Sequence, residues 1–383
     1  MDYNNRRKIG ISFIYGSEWM GAVIYIINLI KSIDKLPDAD KPELIVFYND
    51  KAKPFIKGIQ YSYLTLIYRK TPNQYFNYGL SFLTRRNYFE GGLIDKYNLD
   101  GLFPFNDFPV NLGKNNQKGI AWIPDLQHKY YPQYFSKVNL FFREWRFNLI
   151  LKNADKIVLS SNSVHEDFTK FYKIKDNFNI HILRFPSLME GIAFPSIETL
   201  RNKYNIKENY FIVSNQFYRH KDHASVFKAI KNLKEENLNF KVVFTGRMDD
   251  KRNPQFIDEL QALLKKLEIS DKTCFVGLLD RGEQLCLMKH SLAVIQPSLF
   301  EGWSTVVEDA KALGCQIIAS NLKVHLEQLD EGNKGFIFKA QNEHNLADIM
   351  KAFIKEEVIN KPVFKDYEKF TIDFANKFIK IFL

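Results

Sequence analysis

Two α/β domains, each a parallel sheet wound on both faces by helices, are the fold this sequence predicts. Three observations lead there. The chain has 383 residues, more than one core usually serves at roughly 100–200 residues per domain. Short β-branched runs alternate with helical stretches along the chain, the pattern of parallel strands covered on both sides. The alternation breaks near 184–196, where Pro186 and Pro195 punctuate a loop. The break divides the chain into 1–188 and 189–363. A last stretch, 364–383, carries Phe370, Phe374, Phe378 and Phe382 at helical spacing and needs a surface to cover. The first domain is the candidate surface.

The strands of the first half are the apolar runs 8–16, 43–48, 63–68, 100–105, 119–124, 155–161 and 178–183. A helical stretch, 21–33, follows the first of them. The second half is more regular. Runs at 210–215, 241–246, 273–277, 292–298, 315–320 and 335–338 alternate with helical patterns near 222–236, 254–268, 280–290, 305–313 and 343–356. Two basic-aromatic stretches stand apart. In 137–152, Val138, Phe141, Phe142, Trp145 and Leu149 share one helical face, which is expected to pack on the domain's own sheet. In 75–89, aromatics mix with Arg85 and Arg86 at weaker periodicity, a candidate contact with membrane or with a lipid-linked acceptor.

Composition sets limits. With 45% hydrophobic and 26% charged residues, 18 Gly and 13 Pro, the chain is neither fibrous nor disordered. Its longest uncharged apolar run, Ala22–Ile30, falls short of the 20 or so residues a membrane span needs. The N-terminus lacks a signal-peptide pattern. Three cysteines, none in a CxxC pair, point to reduced thiols in the cytoplasm without structural zinc. The net charge of +10 is uneven: residues 1–188 hold 26 Lys and Arg against 17 Asp and Glu. A basic half suits an anionic partner, and surplus surface lysine would give the same balance.

The most informative segment is 297–314, PSLFEGWSTVVEDAKALG. A strand ends, a short loop carries Glu301 and Gly302, and Ser304 and Thr305 precede an apolar helix that either residue can cap. The free N–H groups at that helix start, through Val306, suit a phosphate or diphosphate. The position is the carboxyl end of a parallel strand, where open α/β sheets bind ligands. An acid there would repel phosphate, so Glu301 fits sugar hydroxyls better. A second segment, FIVSNQFYRHK at 211–221, also ends a strand. There Ser214 and Asn215 can donate to anionic oxygens and Lys221 supplies charge.

The string from Glu301 to Gly314 resembles the signature of the family-four retaining glycosyltransferases of the GT-B fold, two Rossmann-like domains facing a cleft. In that pattern a first acid, seven intervening residues and a second acid precede a small residue and a Gly. Glu301 matches the first acid. Asp309 stands at the second, usually Glu, and Glu308 lies one residue early, so the second role rests between Asp309 and Glu308, with Ala310 and Gly314 favouring Asp309. The resemblance implies that Glu301 contacts the donor sugar hydroxyls and Asp309 the ribose. It also implies that Lys221 meets the diphosphate. The family's usual Arg is Asn215 here, and Arg219 is the nearby substitute. The loop at Gly277 and Leu278 would hold the nucleotide base, and the Gly16 loop would border the cleft. A functional His near the donor sugar would be His128, with Asp125 as its partner.

The implied reaction moves a sugar from a nucleotide diphosphate-sugar to an acceptor hydroxyl with retention, in surface glycan or lipopolysaccharide synthesis. The nucleotide-sugar is a substrate, so no cofactor is expected. No metal is expected either, since Asp249-Asp250 reads as a solvated turn. The expected partners are the donor, a glycan or lipid-linked acceptor and an anionic membrane contacted peripherally from the cytoplasm, with no nucleic acid. An epimerase or phosphorylase on the same fold and a non-catalytic nucleotide- or RNA-binding protein are the rival readings.

Overall fold

A computed structural model describes residues 6–16, 19–70, 74–84, 87, 90–105, 119–154, 156–176, 178–250, 253, 255–330, 334–357, 364 and 366–383. The chain forms two units, Met1–Leu188 with Glu368–Leu383, and Met189–Tyr367.

The first unit is built on seven parallel strands: β1 (Lys8–Phe13), β2 (Glu43–Tyr48), β3 (Leu64–Tyr68), β4 (Gly101–Phe105), β5 (Gly119–Ile123), β6 (Lys156–Leu159) and β7 (Asn179–Ile182). Their order is β3-β2-β1-β4-β5-β6-β7. The strands β4 and β5 are buried throughout, as expected where helices cover both faces. The C-terminal helix Tyr367–Lys380 gives this unit its aromatic side chains: Phe374 meets Tyr25 and Phe378 meets Phe103, with ring centroids 6.1 and 5.3 Å apart. Lys156 Nζ and Arg7 Nη1 donate to the carbonyls of Ile381 and Phe382 at 2.8 and 2.9 Å.

One helix departs from expectation. In Lys137–Asn153 it is Phe147 and Ile150 that enter the core with Ala121, Ile123 and Leu159. The stripe begun by Val138, Phe141 and Phe142 faces outward, and these three are exposed. The spacing identified a genuine stripe but not the side from which the sheet would be covered; two large residues on the opposite side fill that space. Of the 75–89 stretch, the helix Gln74–Thr84 is described and exposes Phe76 and Leu83, whereas Arg85 and Arg86 lie outside the described residues.

The second unit carries β8 (Tyr210–Ser214), β9 (Lys241–Thr245), β10 (Thr273–Gly277), β11 (Val294–Gln296), β12 (Ile317–Ser320) and β13 (Phe336–Phe338), ordered β10-β9-β8-β11-β12-β13 and all parallel. The chain leaves β8 toward β9 and later returns to its other side with β11. That reversal creates a switch point at the carboxyl ends of β8 and β11, where such sheets bind ligands.

A buried histidine makes this unit acid-sensitive. His223 is fully buried, stacked on Phe217 at 4.1 Å, and neither ring nitrogen has a hydrogen-bond partner. Burial pushes it down to about 3. The unfolded chain takes up that proton near pH 6.5, so the stabilisation is complete above that pH and is lost as pH falls toward 3, by up to about 1.4 kcal/mol per unit. His223→Leu should therefore keep the pH 7.5 stability within about 1.5 kcal/mol and make unfolding between pH 6 and 4.5 shallower by about one proton. Urea melts at a series of pH values measure this, and an unchanged slope would exclude His223 as its source.

Candidate functional site

Register builds the site first. Ser214 pairs with Thr245, and Thr245 with Gly277, so three strand ends lie side by side. Gly246 N–H donates to the Gly277 carbonyl at 2.8 Å. Gly246 has φ +119°, and a Cβ on it would stand 2.2 Å from the Asn215 carbonyl oxygen. Only glycine lets the first two strand ends approach this closely. Gly246→Ala is expected to cost about 2–4 kcal/mol through overpacking and backbone strain together. A fall in the melting temperature of the second unit checks it.

Across the switch point, Asn215 Nδ2 donates to Gln296 Oε1 at 2.7 Å. Gln296 Nε2 donates in turn to Glu301 Oε1 at 2.8 Å, and Ser298 Oγ donates to the same oxygen at 2.7 Å. Lys221 Nζ completes the set with a charge-assisted bond to Glu301 Oε1. The leucine after Ser298 ties the two loops together, Leu299 N–H donating to the His220 carbonyl at 2.7 Å. Three donors thus converge on one carboxylate oxygen. Glu301 Oε2 has no partner among the described residues, and the side chain is 12% exposed. Beneath the pair, Ser320 Oγ donates to the Ser298 carbonyl at 2.6 Å, and the Ser320 carbonyl accepts from His325 Nδ1 at 3.0 Å. Burial lowers His325 to about 4, so its ring is neutral at pH 7.

Ser304 caps the helix Thr305–Ala312, its Oγ accepting from Val307 N–H. Gln328 braces the cap from both sides: its Oε1 accepts from Ser304 N–H at 3.1 Å and its Nε2 donates to the Ser304 carbonyl at 3.0 Å. The N–H groups of Thr305 and Val306, in the first turn, have no intrahelical acceptor.

The two acids on that helix separate cleanly. Glu308 is fully buried and consumed by structure: Lys311 Nζ and Gln328 Nε2 donate to its Oε1 at 2.9 Å each, and Tyr367 OH to its Oε2 at 3.1 Å. Asp309 is buried beside Arg281, whose Nη1 donates to its Oδ2 at 2.6 Å and whose Nη2 donates to Oδ1. That fork-to-carboxylate geometry holds the group in one orientation. The two acids thus have different neighbours, Lys311, Gln328 and Tyr367 for Glu308 and Arg281 for Asp309. Arg281 Nη1 also reaches Gln284 Oε1 at 3.1 Å, and Gln284 Nε2 donates to Ser214 Oγ at 2.7 Å.

Several expected donors of hydrogen bonds to a ligand are turned inward. Ser214 and Asn215 are 5% exposed and belong to the chains just described; they position other groups. Arg219 is stacked 4.7 Å over Phe256 and paired with Glu259. Leu278 is 57% exposed beside Gly277, whose φ is +72°. Sequence reasoning missed Gln296, Ser298, Gln284 and Arg281. The first two carry a signal, being polar residues that interrupt the apolar run at 292–298; Arg281 carries none locally.

In the first unit, Gly16 is buried and its carbonyl accepts from Trp19 N–H at 2.9 Å; Ser17 and Glu18 between them lie outside the described residues. His128 is 2% exposed. The expected partner, Asp125, instead caps its own turn, Oδ1 accepting from Gln127 N–H at 2.9 Å. The ring meets Glu144 through Nε2 at 3.1 Å, and Tyr172 OH donates to Glu144 Oε2 at 3.1 Å. Glu144 reaches the ring from the helix Lys137–Asn153, with its side chain 36% exposed. Burial lowers the His128 pKa against the attraction of Glu144. Among the described residues, no group of three or more His, Cys, Asp and Glu gathers as a metal site.

Residues 196–371 match the family model described as glycosyl transferases group 1. A Campylobacter jejuni protein, N-acetylgalactosamine-N,N'-diacetylbacillosaminyl-diphospho-undecaprenol 4-alpha-N-acetylgalactosaminyltransferase, is 23% identical over 224 residues, 58% of this chain and 57% of its own length. The O-antigen chain mannosyltransferase RfbU of Salmonella typhimurium is 25% identical over 210 residues, 55% of this chain and 54% of its own. The chain therefore spans little more than half the length of these curated relatives. In structure it is similar to a glycosyltransferase from Rickettsia africae, with TM-score 0.72 and 17% identity over 99% of this chain and 98% of that one. It is also similar to Anabaena HepE solved with UDP and glucose, with TM-score 0.70 and 13% identity over 98% and 99%. At these identities the likeness is one of fold, and the fold is GT-B.

Proposed function

With the second unit a group 1 glycosyltransferase domain, we propose that this chain moves a sugar from a nucleoside diphosphate-sugar to an acceptor hydroxyl, with retention at the anomeric carbon. The observation that carries the reading is the Glu301–Lys221 pair at the switch point. It sets a carboxylate with one uncommitted oxygen beside a fixed cation. A donor needs those two groups: an acceptor for sugar hydroxyls and a positive charge for the diphosphate.

In the reaction the bond from the anomeric carbon to the diphosphate oxygen breaks, and the electron pair leaves with the diphosphate. The acceptor oxygen bonds the same carbon, and its proton passes to the departing diphosphate oxygen. Charge grows on the leaving group, so stabilisation belongs there. Lys221 and the N–H groups of Thr305 and Val306 supply it on this reading. Glu301 Oε2 accepts from the sugar, Asp309 accepts from the ribose, and the backbone about Gly277 and Leu278 holds the base. A glycan or lipid-linked acceptor fits the relatives, one of whose names carries a diphospho-undecaprenol. Among the described residues no helix is long and apolar enough to cross a membrane; the reading adds peripheral contact at the inner face of an anionic membrane.

The test is a thermal-shift screen against UDP-, GDP-, TDP- and CMP-sugars, with and without magnesium. One nucleotide class should stabilise selectively, by about 2.7 kcal/mol at a hundredfold excess over Kd. A cooperative melt that none of them moves would sink the proposal. Within the responding class, Glu301→Gln should weaken the nucleotide-sugar about tenfold or more and the free nucleotide far less. Calorimetry of the two ligands reads the difference, and equal losses would remove Glu301 from sugar recognition.

A further inference from the structure

The first unit has a switch point of its own, and an exposed aromatic ring stands at it. The chain leaves β1 toward β2 and β3 and returns to the other side of β1 with β4. In such sheets the crevice outside the carboxyl ends takes a ligand. Trp19 lies beyond the carboxyl end of β1, where the chain enters the helix Met20–Asp34. It is 42% exposed. Its indole lies parallel to that of Trp122 on β5, with ring centroids 5.5 Å and planes 2° apart, and Tyr15 meets it edge-on at 5.0 Å.

The rings behind Trp19 are fixed. Trp122 and Tyr15 are 4% and 8% exposed. Trp122 Nε1 donates to Ser160 Oγ at 3.1 Å, and its ring stacks on the fully buried Tyr25 at 4.4 Å. Trp19 is thus the exposed member of a series of packed rings, and its free surface is held in place before a ligand arrives. A platform already ordered loses little entropy when it is used.

The chemistry of a flat indole selects its ligand. It offers an apolar face of negative quadrupole and a single N–H. In the reading above, the second unit supplies the groups for the donor's diphosphate, sugar, ribose and base. The molecule whose hydroxyl accepts the sugar is left without a recognition group. A pyranose ring carries C–H bonds of small positive charge on one face and hydroxyls around its rim. It can cover the indole and keep its hydroxyls free for polar partners and for reaction. An open-chain polyol or a lone serine hydroxyl has no such face.

We propose that Trp19 is the stacking platform for a pyranose ring, so that the accepting hydroxyl belongs to a sugar. The proposal names the acceptor class within the reading above and rests on it. Sugar binding at Trp19 is measured without donor, so each can fail alone.

The experiment uses the full chain with methyl β-glucopyranoside, methyl β-galactopyranoside and methyl α-mannopyranoside, and glycerol as a control without a ring. Saturation-transfer NMR should show contact to the ring C–H protons of at least one glycoside and none to glycerol. The chain has four tryptophans. Trp19→Phe removes one indole N–H while keeping a ring in the stack, and so assigns the Trp19 resonance. That resonance should move when the same glycoside is titrated into the wild type. Trp19→Ala should weaken the glycoside about tenfold or more and keep the nucleotide-sugar thermal shift. Absence of contact with all three glycosides, a Trp19 resonance that stays in place, or equal affinity in wild type and Trp19→Ala overturns the proposal. Loss of the nucleotide-sugar shift in Trp19→Ala overturns it too, by giving the ring to the donor. A glycoside that binds at Trp19 in a chain no nucleotide-sugar stabilises would uphold the platform and sink the transferase reading.

Discussion

Lys221→Ala should slow sugar transfer by about 10²–10³-fold, the range for removing one fixed charge-stabilising donor. The argument rests on where Lys221 sits. Its side chain is 16% exposed and its ammonium is bonded to Glu301, so it enters the reaction already placed. The same contact complicates the variant. Without the lysine, Glu301 keeps Gln296 and Ser298 as donors and loses its counter-charge, so stability should also fall, by about 1–3 kcal/mol. Activity loss alone would then be ambiguous. The double variant Lys221→Ala with Glu301→Gln resolves it, because a neutral amide needs no cation. Its melting temperature should recover toward that of the native chain while transfer stays low. Recovery of transfer along with stability would show that Lys221 serves only to hold Glu301.

Arg281→Ala should destabilise the second unit by about 2–4 kcal/mol, by leaving the buried Asp309 carboxylate without its counter-ion. Asp309 is 1% exposed and Arg281 forks both of its oxygens. Arg281→Lys keeps the charge and loses the fork, so it should recover only part of the loss. Asp309→Asn combined with Arg281→Ala should be less destabilised than the sum of the two single changes, since the unpaired charge is gone. Denaturation of the four variants closes this cycle, and strict additivity would mean the pair contributes nothing. Nucleotide affinity gives a second readout. With Asp309 in its ribose role, Arg281→Lys should weaken nucleotide binding while leaving Glu301-dependent sugar discrimination intact.

The local order of this chain was readable from its residues because strand and helix periods are local properties. Short β-branched runs between amphipathic stretches marked the strands of both sheets, and a capping serine before an apolar helix marked the start at Ser304. Glu301 and Lys221 were candidates because they follow strand ends, which gather at one edge of a parallel sheet, whereas Asp309 was named by the family resemblance alone. What each of the two acids on that helix meets was a question for the tertiary structure. Glu308 and Asp309 are adjacent in sequence and differ by 100° around a helix, and what each meets is set by Gln328 and Tyr367 on one side and Arg281 on the other. Arg281 itself had no local mark, since its role comes from an element 28 residues from Asp309. The same holds for Glu144, which displaced Asp125 as the partner of His128 because a helix brought it to the buried ring. The stripe from Val138 to Leu149 makes the limit plain: periodicity specifies that a helix has an apolar side, and only the packing of Phe147 and Ile150 against the sheet decided that this side would face out.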